Sequence, residues 1–318
     1  CVLNNWGLPE WHEVKDIDEK SILASNEKLQ RVRKVRESIP DWMDEMCIQE
    51  LGQSSWEREV SALNEQAKVV LRVNSLKATR SQLQRLFEEQ EVETETLTNF
   101  PDALVLSRRQ NVFRLPQFKE GKFEVQDASS QLVAPFLQVK NGMRVIDACA
   151  GAGGKTLHLA ALMHNKGRII AMDAEQWKLD ELKKRARRAG AGNIETRVVD
   201  SSKVIKRMEN SADRLLLDVP CSGLGVLRRN PDAKWKLSPE FIEKVKSEQQ
   251  HILSSYSAML KKGGIMVYST CSILPSENEK QIEKFLSQET GRFELIGQKT
   301  ILPSNGFDGF FMAAILKK

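Results

Sequence analysis

The sequence predicts a doubly wound α/β protein: a mostly parallel, seven-stranded sheet covered by helices on both faces, with a smaller helical and α/β region before it. Three observations carry that reading. From Lys140 onward short, nearly continuous apolar strands alternate with helices, the pattern of a parallel sheet buried on both sides. A glycine-rich turn, Asp147-Ala-Cys-Ala-Gly151-Ala-Gly153-Gly154-Lys155-Thr156, joins the first of these strands to a helix. Aspartates 147, 173, 200 and 218 stand at or near the ends of four consecutive strands, where ligands sit in such sheets.

Taken in order, residues 1–65 read as a helical segment. Lys20 to Glu37 is charged with spaced Ile, Leu and Val, Pro40 interrupts it, and Asp41 to Gly52 has helical spacing with a glycine stop. The basic run Lys28, Arg31, Arg33, Lys34, Arg36 reads as a solvated helix face. Residues 66–138 read as a small α/β unit: a strand from Val69, a helix over 80–90, a strand from Ala103, an extended segment from Phe123 to Asp127, and a helix over 128–138. Such a unit is RNA-recognition-like, although the aromatic Arg-Gly-Phe-Gly-Phe signature is missing. Residues 139–318 form a Rossmann-like domain, with strands at 143–148, 167–172, 194–199, 213–217, 264–269, 293–296 and 310–316. Its helices lie at about 155–164, 176–189, 202–209, 239–260 and 276–287. Lys178, Lys183, Lys184, Arg185, Arg187 and Arg188 fall on one of them and read as another solvated face.

Composition excludes several classes. The chain has 318 residues, 41% hydrophobic and 29% charged, ordinary for a protein with a sizeable core. No apolar run approaches the roughly 20 residues that span a bilayer, so no membrane partner is expected. The start, Cys1-Val-Leu-Asn-Asn-Trp6, lacks the basic and apolar regions of a signal peptide, and a first residue other than Met points to a fragment or a trimmed chain. Five cysteines (1, 47, 149, 221, 271) and four histidines contain no Cys-x-x-Cys pair or zinc spacing, so no metal is expected. An odd cysteine count without a disulfide framework argues for a reducing, cytoplasmic setting. The net charge of +5 permits a nucleic-acid partner without demanding one, and a monomer is the default.

The glycine turn is close to two phosphate-binding patterns and satisfies neither. A Gly-x-x-x-x-Gly-Lys-Thr loop would need glycine where Cys149 stands, which disfavours a nucleotide hydrolase. A Gly-x-Gly-x-x-Gly fingerprint would need glycine at Thr156. What remains, unless this is a plain tight turn, is a nucleoside held through ribose and base. Asp173 lies 22 residues past Gly151, where a carboxylate meets ribose hydroxyls. S-adenosylmethionine fits that description.

Two further strands end in cysteine loops: Asp218-Val-Pro220-Cys221-Ser-Gly223 and Tyr268-Ser-Thr-Cys271-Ser-Ile-Leu-Pro275-Ser-Glu277. Neighbouring strand ends lie close together, so the two thiols are expected over one pocket. Each could simply be a small buried hydrophobe. Their place in loops before helix starts instead favours lowered thiol pKa values. Two thiols beside a methyl donor suit methylation of cytosine at carbon 5, which is a poor nucleophile until a thiolate adds at carbon 6. Asp218 can hydrogen-bond the cytosine amino edge, and Lys155 can orient Asp218 or the base. Methylation of an amino group needs no thiol and more often shows an Asn/Asp-Pro-Pro-Tyr-type loop.

These motifs, together with Arg228-Arg-Asn-Pro-Asp232 and Asp308-Gly-Phe-Phe-Met-Ala-Ala313, resemble the Sun/Fmu-type RNA 5-methylcytosine methyltransferases, strongly over 120–318 and more loosely over 66–120. The resemblance is nearest to the bacterial ribosomal-RNA members. It implies a class I S-adenosylmethionine-dependent methyltransferase fold, with 139–318 as the catalytic domain. It makes Cys271 the nucleophile and Cys221 the group that assists product release, with Asp218 and Lys155 beside them. It maps the cofactor site onto Cys149, Ala150, Gly151, Ala152, Gly153, Gly154, Lys155, Asp173, Asp200 and Asp218. One departure is visible: Gly151-Ala152 replaces the family's Ala-Pro, which removes a rigid residue and is expected to loosen the loop. Bacterial members often carry an extra N-terminal helical RNA-binding domain, and the helical segment here is too short to be one. Arg228, Arg229, Lys234 and Trp235 are expected to rim the pocket and touch RNA, basic residues interleaved with an aromatic suiting a phosphate backbone and an unstacked base. Ribosomal RNA is the favoured partner by resemblance, with transfer RNA behind it. An RNA or protein amino-group methyltransferase and a non-catalytic RNA-binding assembly factor are the remaining alternatives.

Overall fold

The computed structural model describes residues 2–4, 6, 8–14 and 16–318. Cys1 and parts of the first stretch lie outside the described residues. Among the described residues the first α-helices are α1 (Glu19–Gln30), α2 (Arg33–Arg36), α3 (Asp41–Leu51) and α4 (Gln53–Asn64). The charged helical stretch over 20–37 breaks at Arg31 and Val32. There the basic run is partly paired: Arg33 donates to Asp44 and Glu57, and Arg36 to Glu37 and Glu57. Solvation alone therefore does not account for it. Gly52, at φ +80°, ends α3 and lets α4 start at once. No helix among the described residues is long and apolar enough to cross a membrane.

The next region runs β1 (Val70–Val73), α5 (Arg80–Glu88), β2 (Thr94–Leu97), β3 (Phe100–Leu106), α6 (Pro116–Lys119) and β4 (Phe123–Val125), then α7 (Ala128–Gln131) and α8 (Val133–Phe136). Its four strands pair antiparallel in the order β2-β3-β1-β4 around a core of Leu71, Leu83, Phe87, Leu104 and Phe123. Sequence reasoning missed β2, because Thr94-Glu-Thr-Leu97 is a half-exposed edge strand with no apolar alternation. The helix expected over 128–138 is two short ones. Pro135 has no N–H to bond Gln131 and its ring opposes that carbonyl, so α7 ends there.

The large domain follows as β5 (Arg144–Asp147), α9 (Gly154–Leu162), β6 (Arg168–Asp173), α10 (Gln176–Ala189), β7 (Ile194–Val198), α11 (Ser202–Lys206) and β8 (Ala212–Asp218). It continues through α12 (Ala233–Lys236), α13 (Pro239–Tyr256), β9 (Leu260–Thr270), α14 (Glu279–Gln288), β10 (Phe293–Ile301) and β11 (Phe310–Lys317). The sheet order is β10-β11-β9-β8-β5-β6-β7, with β11 antiparallel to both its neighbours and the other pairings parallel. Adjacent strand residues point to opposite faces. Val145, Ile169 and Val267 therefore pack under α9 and α10 with Leu157 and Leu182, while Ile146, Ile170 and Met266 meet Ile252 and Phe285 of α13 and α14. Each buried side chain of this size contributes about 1.5–3 kcal/mol. The chain winds outward on both sides of β5 and β8, so the crevice beyond their carboxyl ends is the place for a ligand.

The opening helices do not stand apart from that crevice. Met43, Cys47, Trp56, Val60 and Leu63 of α3 and α4 share a core with Leu224, Leu227, Ile273 and Leu274, which follow the two cysteine loops.

Candidate active site

The glycine turn is held from several sides. The Ala148 N–H donates to Leu216 O of β8 at 2.9 Å and the Ala150 N–H to Met172 O of β6 at 2.8 Å, so the loop leaves the sheet through both neighbours. Asp173 Oδ2 accepts from the Gly151 N–H at 2.9 Å, and its Oδ1 from the Glu175 N–H at 2.9 Å. Gly153 has φ +90°, and a Cβ there would lie 2.6 Å from Leu182 Cγ, so glycine is required twice over. Arg185 of α10 donates to the Ala152 carbonyl at 2.8 Å, and Arg72 of β1 to that of Gly154 at 2.6 Å. The looseness expected from losing a rigid residue is thus offset by two arginines, one of them from the small sheet. Arg72 is buried, and desolvation lowers its pKa to about 10. Arg185 and Arg188 both pair with the buried Glu124 of β4, at 2.9 and 2.6 Å. Those two members of the basic cluster on α10 are joints between regions, which corrects their reading as a solvated face.

Beneath the loop lies Asp147, almost wholly buried. Its Oδ2 accepts from Thr156 Oγ1 at 2.7 Å, while its Oδ1 has no partner among the described residues. Burial pushes its pKa up to about 7. Cys149 is half-buried in the loop, and burial also pushes its thiol up. At the end of β7, Asp200 is exposed and forms one wall of a cavity of about 570 Å³, with Ser202, Ile205, His251 and Tyr256 among the others. Neither the cysteines nor the glycine loop lines that cavity.

The sulfurs of Cys221 and Cys271 stand 3.3 Å apart, unbonded, at the ends of β8 and β9. The sequence-expected lowering of thiol pKa does not hold for Cys221. Its hydrogen bond with Cys271 and then its burial push it well above the ordinary thiol value. Neither loop runs directly into a long helix: a three-residue 3-10 turn over Leu224–Val226 follows Cys221, and α14 begins eight residues past Cys271. Beside the thiols, Lys155 Nζ donates to Asp218 Oδ2 at 2.5 Å and lies 5.1 Å from the centre of the Phe310 ring. Ser269 Oγ donates to Asp218 Oδ1 at 2.8 Å. The carboxylate at the end of β8 is therefore oriented from both sides, and the pairing of Lys155 with Asp218 anticipated from sequence is present.

The four residues expected to contact RNA are only partly in position to do so. Lys234 is buried and donates to the Glu37 carbonyl at 3.0 Å and to Asn64 Oδ1, tying α12 to the opening helices. Its ammonium has no route to a phosphate, which corrects that expectation. Arg229 pairs with Asp308 at 2.5 Å and Asp127 at 2.8 Å, and Arg228 donates to the Pro303 carbonyl at 2.8 Å. These arginines knit loops together. Trp235 is 62% exposed and remains free to stack on a base. Basic side chains that fasten a loop look, in sequence, like those that await a ligand.

Comparison with known proteins agrees with this fold. Residues 134–316 match the family described as 16S rRNA methyltransferase RsmB/F, and residues 39–113 match the ferredoxin-like domain described for RsmF/B-like methyltransferases. The chain is 37% identical over 298 residues to a probable ribosomal RNA small subunit methyltransferase B of Synechocystis sp., covering 88% of this chain and 67% of that protein. It is 35% identical to ribosomal RNA small subunit methyltransferase B of Salmonella paratyphi B, covering 88% of this chain and 66% of that one. The chain thus spans about two thirds of the length of these relatives. Among solved structures, a methyltransferase homologue from Pyrococcus horikoshii superposes with a TM-score of 0.79 at 27% identity, over 90% of this chain and 98% of that one. NSun6 from the same organism gives 0.81 at 21% identity over 88% and 99%, a likeness of fold. The architecture is that of the class I methyltransferases, and the chain belongs to the RsmB/F, or Sun/Fmu-type, family of RNA methyltransferases.

Proposed function

We propose that the protein methylates carbon 5 of a cytosine in small-subunit ribosomal RNA, through a covalent bond between Cys271 and carbon 6. The observation that carries this reading is the pair of sulfurs 3.3 Å apart next to the Lys155–Asp218 pair. An amino-group methyltransferase would have no use for the thiols, and nothing in the site favours one. The RNA class comes from the named activities of the relatives.

The cofactor is S-adenosylmethionine, and the residues present fit it. The carboxylate of Asp173 is pinned at the end of β6 for a ribose, and the glycine turn presents backbone without side chains. The orphan Oδ1 of Asp147 lies below the turn, and the cavity beside Asp200 opens at the next strand. When bound there, it supplies an electrophilic methyl group that carbon 5 takes up. The protein's own residues do the rest. Cys271 Sγ bonds to carbon 6, and the displaced electron pair makes carbon 5 nucleophilic. Asp218, held by Lys155 and Ser269, accepts from the cytosine amino group and orients the ring. Cys221, whose hydrogen bond with Cys271 and burial favour its neutral thiol, stands 3.3 Å from the Cys271 sulfur. After methylation a base removes the carbon 5 proton, and the electrons of that C–H bond restore the ring double bond and expel the Cys271 thiolate. Cys221, beside Cys271, supports this proton removal and the elimination that follows. The target base must leave its stack to reach this crevice, so an unpaired or flexible RNA segment is the substrate.

The test is incubation with labelled S-adenosylmethionine and ribosomal RNA, free and in partly assembled particles, followed by nucleoside analysis. Label should appear in 5-methylcytidine and vanish in Cys271→Ala, which should still bind the cofactor. Label in another nucleoside, or undiminished label in Cys271→Ala, would overturn the reading.

A further inference from the structure

Each of the two cysteines is followed by serine, and both serines end on one carboxyl group. Glu277 is fully buried in the segment before α14. Its Oε1 accepts from Ser272 Oγ at 2.5 Å and from Ser222 Oγ, while its Oε2 accepts from the Ser222 N–H at 2.8 Å and from Gln249 Nε2 at 2.9 Å. Gln249, on α13, also donates to the carbonyl of Pro220, the residue before Cys221, at 2.9 Å. Tyr268 Oη donates to the Glu277 carbonyl at 2.6 Å. The loops also touch directly: the Gly225 N–H donates to the Cys271 carbonyl at 2.9 Å, and a Cβ on Gly225 would lie 2.7 Å from that oxygen.

No cation pairs with Glu277 among the described residues, so its desolvation is met by hydrogen bonds alone. An apolar side chain of similar volume would avoid that cost. A buried carboxyl that spends its acceptors on the residues following two thiols is arranged for geometry more than for stability.

We propose that Glu277 is a positioning residue: through Ser222 and Ser272 it fixes the thiols of Cys221 and Cys271 relative to each other. The proposal rests on the two-thiol reading of the site and deepens it. The four acceptor contacts set the two loops in register, and the sulfurs, one residue back along each loop, inherit their 3.3 Å separation from that register. Nothing reaches substrate from Glu277 itself.

A bifunctional alkylating agent that fluoresces only after joining two thiols reads the separation directly, without RNA or turnover. Peptide mapping assigns the bridge, and Cys221→Ala serves as the blank. In wild type with S-adenosylmethionine bound, Cys221 and Cys271 should bridge readily. Glu277→Met removes the acceptors while keeping the volume, and Ser272→Ala is the milder lesion should that variant fold poorly. Both should lower the bridging yield by about fivefold or more while holding cofactor affinity within about twofold. Glu277→Gln should retain the yield, because its amide oxygen still accepts from Ser222 N–H and Gln249 while the serine hydroxyls turn to accept from its NH2 group. Wild-type bridging in folded Glu277→Met and Ser272→Ala would overturn the proposal. Single-turnover methylation, measured on the same samples, should fall by about tenfold or more along with the yield. If bridging falls and methylation does not, the clamp stands and the two-thiol mechanism is what fails.

Discussion

Two buried carboxyl groups support the two halves of this site, and the protein serves them differently. Glu277, under the cysteine loops, has donors on both oxygens, drawn from two loops and a helix. Asp147, under the glycine turn, has Thr156 on one oxygen and, among the described residues, no hydrogen-bond partner on the other. The glycine turn draws most of its ties from elsewhere. It is held from above by backbone bonds to β6 and β8 and by arginines on the Ala152 and Gly154 carbonyls. Where a loop must present bare backbone to a ligand, its ties come from peptide groups and outside cations. Where a loop must place a side chain, its ties come from a buried acceptor beneath it.

The largest effect that tests this contrast lies on the cysteine side. Cys221→Ala should stop multiple turnover and accumulate RNA joined to Cys271, visible as a nuclease-sensitive, slower band under denaturing conditions. If the variant turns over normally and traps nothing, the 3.3 Å approach of the sulfurs is packing, and the cysteine loops place no chemistry.

How much of this could be read in advance follows from the same contrast. The strands were legible because parallel strands buried on both faces are apolar at every position, as in Ile169-Ile-Ala-Met172. The glycine turn was legible because backbone exposure leaves glycines in the sequence. The cysteines and the Lys155–Asp218 pair came from chemistry at strand ends. What escaped were the long-range ties. Glu277 lies six residues past Cys271 and looks like any acid near a helix start; only the repeated Cys-Ser, at 221–222 and 271–272, hinted at a shared partner. Arg72 and Glu124 carried no signal, Arg185 read as a solvated face and Lys234 as an RNA contact, because their partners lie 61 to 197 residues away. Edge strand β2 escaped because half-exposed strands need no apolar pattern.

Asp147 gives the next largest effect. Its pKa rises from 3.8 to about 7 on folding. Between those values the folded protein keeps a proton that the unfolded chain has lost, so this group's contribution to stability falls as pH rises from about 4 to 7 and is flat above. Asp147→Asn removes the titration. Denaturant unfolding at pH 5 and pH 8 should show wild type losing up to about 3 kcal/mol more than the variant over that interval. Equal losses would mean that the carboxyl is solvated in the folded protein and that the turn is open from below.

Arg185→Met sharpens the comparison from above. Glu124 keeps Arg188 in this variant, so the joint between α10 and β4 survives, while the Ala152 carbonyl loses its one side-chain donor. An unmet buried carbonyl costs about 1–3 kcal/mol. Here the turn can escape part of that cost by shifting toward water, which displaces the peptide groups that face the ligand. The dissociation constant for S-adenosylmethionine, measured calorimetrically, should therefore rise by about tenfold, equivalent to about 1.4 kcal/mol. Thiol bridging between Cys221 and Cys271 should not change, because no tie of theirs runs through Arg185. A variant that binds the cofactor as tightly as wild type would show that the turn is self-supporting, and that the arginine fastens the small sheet to the large domain without shaping the ligand site.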